Sequence, residues 1–150
     1  MIKIELKIVD IEDVQLKKLD KKPYIFTRIF ALVGYKKKDG SLFIRRTVVD
    51  TGAVVSLLPM SIWKQLNIKF FGYHIIKGVV KKESCSIPVK TGFIETKVID
   101  EQNETPTFTS LVYCADSNEV PLILGIKDAL DKFKIEINVK QKQSYLIYLD

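Results

Sequence analysis

The chain has 150 residues, 47% of them apolar and 28% charged, with a formal net charge of +6. That length and balance fit one globular domain and exclude whole-chain disorder. A single histidine, His74, and two cysteines, Cys85 and Cys114, exclude both the ligand sets of most zinc sites and a disulfide scaffold.

Period-two alternation dominates the chain. Ile2, Ile4, Leu6 and Ile8 alternate with charged residues and predict a half-buried first strand. Residues 24–35 are almost continuously apolar or aromatic and predict a long strand covered on both faces. Asp39-Gly40 predicts a hairpin, because glycine accepts the positive φ of a type I′ turn. The return strand runs from about Leu42 into Val48-Val49-Asp50. Pro59 introduces a short helix over residues 60–66, with Ile62, Trp63 and Leu66 at helical spacing. Residues 73–98 predict two or three strands, with one turn near residues 81–84 and another at Thr91-Gly92. Residues 100–107, polar and holding Pro106, predict a loop. A strand over 107–115, a turn over 116–119 and a buried strand over 120–124 follow, ending at Gly125. A helix over 127–132, a strand through Ile135, Ile137 and Val139, and a last strand over 145–149 complete the pattern. The pattern predicts a mostly antiparallel β domain with one or two short helices and no linker or repeat.

The opening residues lack the basic-then-apolar order of a signal peptide, and no apolar run approaches the roughly 20 residues that span a bilayer. The expectation is a cytoplasmic protein with reduced thiols and no membrane partner. Its basic residues are scattered, and only Arg28, Arg45 and Arg46 are arginines. Nucleic-acid recognition leans on arginine forks, so solvated strand faces are expected instead.

The informative segment is Val48-Val49-Asp50-Thr51-Gly52-Ala53-Val54-Val55-Ser56. Asp-Thr-Gly alone often closes an ordinary turn. Here a carboxylate ends a buried apolar strand and a second apolar pair follows, which is costly unless the charge is paired, hydrogen-bonded or removed by protonation.

In these residues the sequence resembles the retropepsin-like aspartic proteases, whose signature is two apolar residues, Asp-Thr/Ser-Gly-Ala/Ser, two variable residues and Ser/Thr. Val48 through Ala53 and Ser56 match it. The second mark of that family, two apolar residues and a glycine before a short helix, matches Ile123-Leu124-Gly125 followed by Lys127-Asp128-Ala129-Leu130. The resemblance covers about residues 24–150 and implies an all-β, closed acid-protease barrel. Residues 1–23 would be an N-terminal strand extension of one domain spanning residues 1–150.

By resemblance, Asp50 is the catalytic carboxylate, Gly52 lets the backbone come close to it, and Thr51 bonds across to a partner loop. Ala53, Val54, Val55 and Ile123 would face substrate, as would Gly78 and Val79 in a flap hairpin over residues 76–84. That flap keeps one glycine and a charged tip, and Val54 and Val55 stand where retroviral enzymes carry acidic residues. With a single Asp-Thr-Gly, activity requires a twofold homodimer. The terminal strand over 145–149 is apolar enough to build a dimer sheet. The implied activity is cofactor-free and metal-free aspartic endopeptidase action on a polypeptide substrate. The alternative is a non-proteolytic dimeric peptide-binding or scaffold module with the same fold. His74, Cys85 and Trp63 are expected to be structural.

Overall fold

A computed structural model describes residues 1–77 and 86–150. Strands β1 (Ile2–Glu5) and β2 (Lys7–Glu12) precede helix α1 (Val14–Asp20). Strands β3 (Ile25–Lys36), β4 (Leu42–Val49) and β5 (Ser56–Leu58) lead to helix α2 (Met60–Trp63). Then come β6 (Lys69–Lys77), β7 (Ser86–Ile99), β8 (Phe108–Ala115) and β9 (Ile123–Leu124). A 3-10 turn over Leu130–Lys132 precedes β10 (Phe133–Asn138) and β11 (Gln143–Tyr148). The fold is mostly β, as the alternation predicts.

Among the described residues two sheets form, in the orders β1-β11-β10 and β2-β3-β4-β9-β5-β8-β7-β6. In the larger sheet β3 changes neighbour midway. Its first half pairs with β2, Ile25 opposite Glu12, and its second half pairs with β7, Leu32 opposite Ile99. The pairings therefore run β3-β4-β9-β5-β8-β7 and return to β3, closing a ring. Leu58, Val33, Val98, Val112, Leu124 and Leu146 belong to one buried cluster that joins ring and smaller sheet.

The expected first strand is two strands in different sheets, because the alternation survives a change of partner. Leu6 N–H bonds Ser144 O as the chain leaves β11's side, and Lys7 then opens β2 against Phe30. The long apolar run is not covered on both faces: in its second half Ala31, Val33 and Tyr35 are buried on one face while Leu32 is exposed, and in its first half Ile25 and Phe26 are exposed. Helix α1 is an unexpected element. Asp13 caps it by accepting Leu16 N–H at 2.9 Å, and Lys21 ends it in the left-handed region at φ 55°.

Thr91-Gly92 is no turn but lies inside β7. Gly92 serves close packing there, since a Cβ would stand 2.6 Å from Ile68 Cγ2 and 2.9 Å from Lys69 O. The hairpin at Asp39-Gly40 has positive φ only at Gly40 (88°), and Lys37 N–H reaches Ser41 O at 2.8 Å. That is a three-residue loop ending in a left-handed glycine rather than type I′. Residues 127–132 form turns and the 3-10 segment instead of a helix; Asp128 at φ 58° breaks the helical path. The expected turn near residues 81–84 lies outside the described residues.

Strand β11 is central in its sheet, with β1 on one side and β10 on the other. Both its edges are filled within the chain, so it cannot itself receive a strand from a second copy. The open edges of that sheet belong to β1 and β10.

A buried polar pair lies in the core. Tyr35 Oη is 3.2 Å from Thr47 Oγ1, which also bonds Arg45 O at 3.1 Å. Thr47 spends its proton on the carbonyl, so the phenol donates to Thr47, and burial pushes the Tyr35 pKa up. Thr47→Val therefore leaves a buried phenol without an acceptor and should cost about 1–3 kcal/mol. Tyr35→Phe leaves Thr47 bonded and should cost less; urea unfolding of both variants checks the order.

Asp100 ties β1 to the loop after β7. Burial opposes its ionisation, but N–H groups of Glu5, Gln102 and Asn103 outweigh that and hold its pKa below the ordinary value. A lowered folded-state pKa adds stability above the unfolded-chain value, near about 3.9, and loses it as pH falls through the folded value. Asp100→Asn should flatten the acid limb of stability against pH, as thermal unfolding from neutral to acid would record.

Candidate active site

The site begins with a parallel pair inside the ring. Val48 and Val49 of β4 lie opposite Ile123 and Leu124 of β9. Val48 N–H donates to Leu122 O at 3.0 Å and Asp50 N–H to Leu124 O at 3.1 Å. Asp50 is thus fixed at the last rung before the chain turns away.

The turn is closed by Asp50 itself. Its Oδ1 accepts Gly52 N–H at 2.9 Å, and its carbonyl accepts Ala53 N–H at 3.2 Å. A Cβ on residue 52 would sit 3.2 Å from Asp50 Oδ1, so glycine keeps the carboxylate close to the backbone. The loop is then bound to the segment after β9. Ala53 O accepts Ile126 N–H at 2.9 Å, and Val54 O accepts Lys127 N–H at 2.8 Å. Ser56 Oγ, buried, accepts Gly125 N–H at 2.9 Å. The two segments touch so closely that a Cβ on Gly125 would lie 2.6 Å from Val55 C and 2.8 Å from Ser56 N.

Burial divides the loop. Val55, Ser56 and Leu58 are buried, Asp50 and Ala53 are half-buried, and Thr51, Gly52 and Val54 are exposed. The loop therefore presents its carboxylate and an apolar tip, Val54 at 75% exposure, on a base packed into the core. Ile123 lies half-buried beside it, opposite both Val48 and Leu57. Asp50, Thr51, Gly52, Ala53, Val54 and Ile123 come together, whereas Val55 turns inward as the floor on which Gly125 rests. Gly78, Val79 and the flap tip lie outside the described residues.

Ser56 enters the sequence reading only as the last position of a signature; its hydroxyl ties the two motifs together. The signal is the pairing of a small hydroxyl residue with a distant glycine, which one sequence alone does not reveal. Trp63 is buried, and its indole N–H donates to Ala115 O at 2.7 Å. His74 is exposed beside the Tyr113 ring, centroids 5.4 Å apart. Cys114 is buried, its thiol pushed up to about 12 by that burial against a smaller opposing pull from Lys90. Cys85 is outside the described residues. Among the described residues no three His, Cys, Asp or Glu side chains gather as a metal-binding group, and no helix is long and apolar enough to cross a membrane.

No family model and no curated protein matches the chain. Among solved structures it is similar to a retropepsin-like aspartic protease from Rickettsia conorii, with 14% identity over 95% of this chain and 93% of that chain, at a TM-score of 0.47.

The packed base is testable apart from any activity. Gly125→Ala forces backbone apart and should cost about 1–3 kcal/mol. Ser56→Ala leaves the buried Gly125 N–H without its acceptor and should cost about 1–3 kcal/mol as well. Because both changes loosen one contact, the double variant should lose less than the sum of the two in urea unfolding.

Proposed function

We propose that the protein is an aspartic endopeptidase of the retropepsin-like type, active as a twofold homodimer in which two Asp50 carboxyls share one proton. One domain over residues 1–150 carries the half-site, with residues 1–23 added to the protease core. The observation that carries this reading is the coupling of Asp50-Thr51-Gly52 to Ile123-Leu124-Gly125 through the Ser56–Gly125 bond and the Gly125 contact. An ordinary turn has no need of a base assembled from two distant segments.

One chain offers one such carboxylate. Neither of two cavities among the described residues, of about 420 and 370 Å³, is lined by Asp50. A second copy is the simplest source of both the missing acid and the missing wall. Exposed Thr51 is then available to bond across to the partner loop, and exposed Val54 and half-buried Ala53 and Ile123 to meet substrate side chains.

The chemistry follows from the shared proton. The ionised Asp50 takes a proton from water as its oxygen attacks the scissile carbonyl carbon, and the protonated one donates to the carbonyl oxygen. Collapse of the tetrahedral adduct then passes a proton to the leaving amide nitrogen, and the carbon–nitrogen bond breaks. Gly52 N–H on Oδ1 holds one carboxylate oxygen in place throughout. No metal or organic cofactor takes part in this scheme, and the protein is read as acting in the cytoplasm on polypeptide.

Asp50→Asn should abolish peptide hydrolysis, a loss of at least about a thousandfold, with the unfolding midpoint little changed. Specific activity of the unaltered protein should fall on dilution, because dimerisation is second order. Its pH profile should be a bell on the acid side of neutrality, since raising pH removes the shared proton and lowering it fills both carboxyls. A statine-type inhibitor should raise the melting temperature of the unaltered protein and not of Asp50→Asn. Stabilisation of neither, with no hydrolysis at any pH, would favour the non-proteolytic peptide-binding module.

A further inference from the structure

Strand β6 closes the larger sheet on one side and pairs only with β7, so its outer N–H and C=O groups have no strand partner among the described residues. It is also unusually apolar for an exposed edge. Phe70, Phe71, Tyr73 and Ile75 are all exposed, Tyr73 at 84%. The register slips between Phe70 and Gly72, and a shallow cavity of about 370 Å³ lies there, lined by Phe70, Phe71, Gly72, Tyr73 and Lys90. Such bulges re-aim side chains at sheet edges.

The charged residues of β6 and of the stretch of β7 that pairs with it, Lys69, Lys77 and Lys90, are all basic. Residues 51–77 and 86–94 contain no Asp or Glu, yet they hold Lys64, Lys69, Lys77 and Lys90. None of these four lysines enters an ion pair among the described residues. Lys90 is the most enclosed position. Its ammonium stands 5.3 Å from the Trp63 ring centroid and 5.5 Å from that of Phe70, on the same sheet face as Tyr73 directly opposite.

A second copy of the chain is a poor occupant. β6 holds Lys69 and Lys77 and no Asp or Glu, so two β6 strands paired edge to edge would bring four lysines together with no carboxylate between them, and like charges along a ladder repel. An acidic strand meets the opposite situation. We propose that the outer edge of β6 docks an extended acidic polypeptide segment. That segment continues the ladder through its backbone, lays apolar side chains on Tyr73 and Ile75, and sets a carboxylate beside Lys90. Single-stranded nucleic acid fits less well. No arginine lies on the patch, and Phe71 and Phe70 are already engaged, stacked on Phe93 at 5.1 Å and edge-on to Trp63 at 5.8 Å. Asp50 does not line the cavity at this edge, and the proposal does not depend on proteolysis.

The test uses the intact chain and a short capped peptide repeating Val-Val-Glu-Glu, which puts valine and glutamate in turn on each face of an extended strand. Its lysine–valine counterpart and a short oligothymidylate serve as controls. Binding is read from the emission of Trp63 and mapped by amide hydrogen exchange. The expected result is binding of the glutamate peptide with slowed exchange along β6, equal in Asp50→Asn. Lys69→Glu combined with Lys77→Glu should weaken it about tenfold or more, two exposed ion pairs being at stake. Four outcomes would overturn the proposal: equal binding of the lysine peptide, preference for oligothymidylate, protection away from β6, or no binding at millimolar peptide. The exchange map on the unaltered chain decides the matter even if the charge-reversed variant misfolds.

Discussion

Gly125 lies against the backbone of Val55 and Ser56 with no space for a Cβ, and the candidate site depends on that contact. Glycine here answers a demand for space rather than for an unusual φ, since among the described residues Gly40 is the glycine with a positive value. The approach lets Ser56 Oγ take Gly125 N–H and lets Ala53 and Val54 carbonyls take the next two N–H groups. Four consecutive loop residues, 53–56, are thereby attached to the chain after β9. Asp50, at the head of that loop, gains a rigid base without itself being buried deeply.

That rigidity also divides the loop's chemistry. The side chains facing inward, Val55 and Leu58, pack into the core, where alternation and burial hold them. Those facing outward, Thr51 and Val54, are exposed beside a carboxylate whose Oδ1 is already oriented by Gly52. A surface loop built only for solubility does not spend a valine and an oriented carboxylate on the same tip. A homodimeric reading gives both a purpose, and preorganised groups of this kind are what a proton-sharing pair requires. In the proposed homodimer the central position of β11 would leave the edges of β1 or β10, or the loop faces themselves, for the second copy to meet.

The two ends of the larger sheet are managed differently. At β2 the edge is paired with an exposed half of β3 and carries both signs of charge, with Asp10 bonded to Lys142 and Glu12 3.1 Å from Lys17. At β6 the edge is aromatic and purely basic. Exposed lysines on an edge discourage pairing with an identical strand, and the proposed acidic segment is the kind of strand that the same charge would admit.

What the sequence determined by itself was the mostly β class, the run of strands and the pair of motifs that build the loop, because alternation and glycine punctuation are local signals. Trp63 at helical spacing after Pro59 was legible for the same reason. Only the tertiary structure decided which strands meet. The alternation of Ile2, Ile4, Leu6 and Ile8 continues without a break through Leu6, yet β1 and β2 join different sheets, since periodicity records a face and not a neighbour. Thr91-Gly92 carries the composition of a turn and lies inside β7, where Ile68 and Lys69 crowd the backbone. Likewise Val55 shares the apolar character of Val54, and only the approach of Gly125 decides that one is floor and the other tip. The bond from Gly125 to Ser56 joins residues 69 positions apart, and a contact at that separation exists only once the ring of strands has closed.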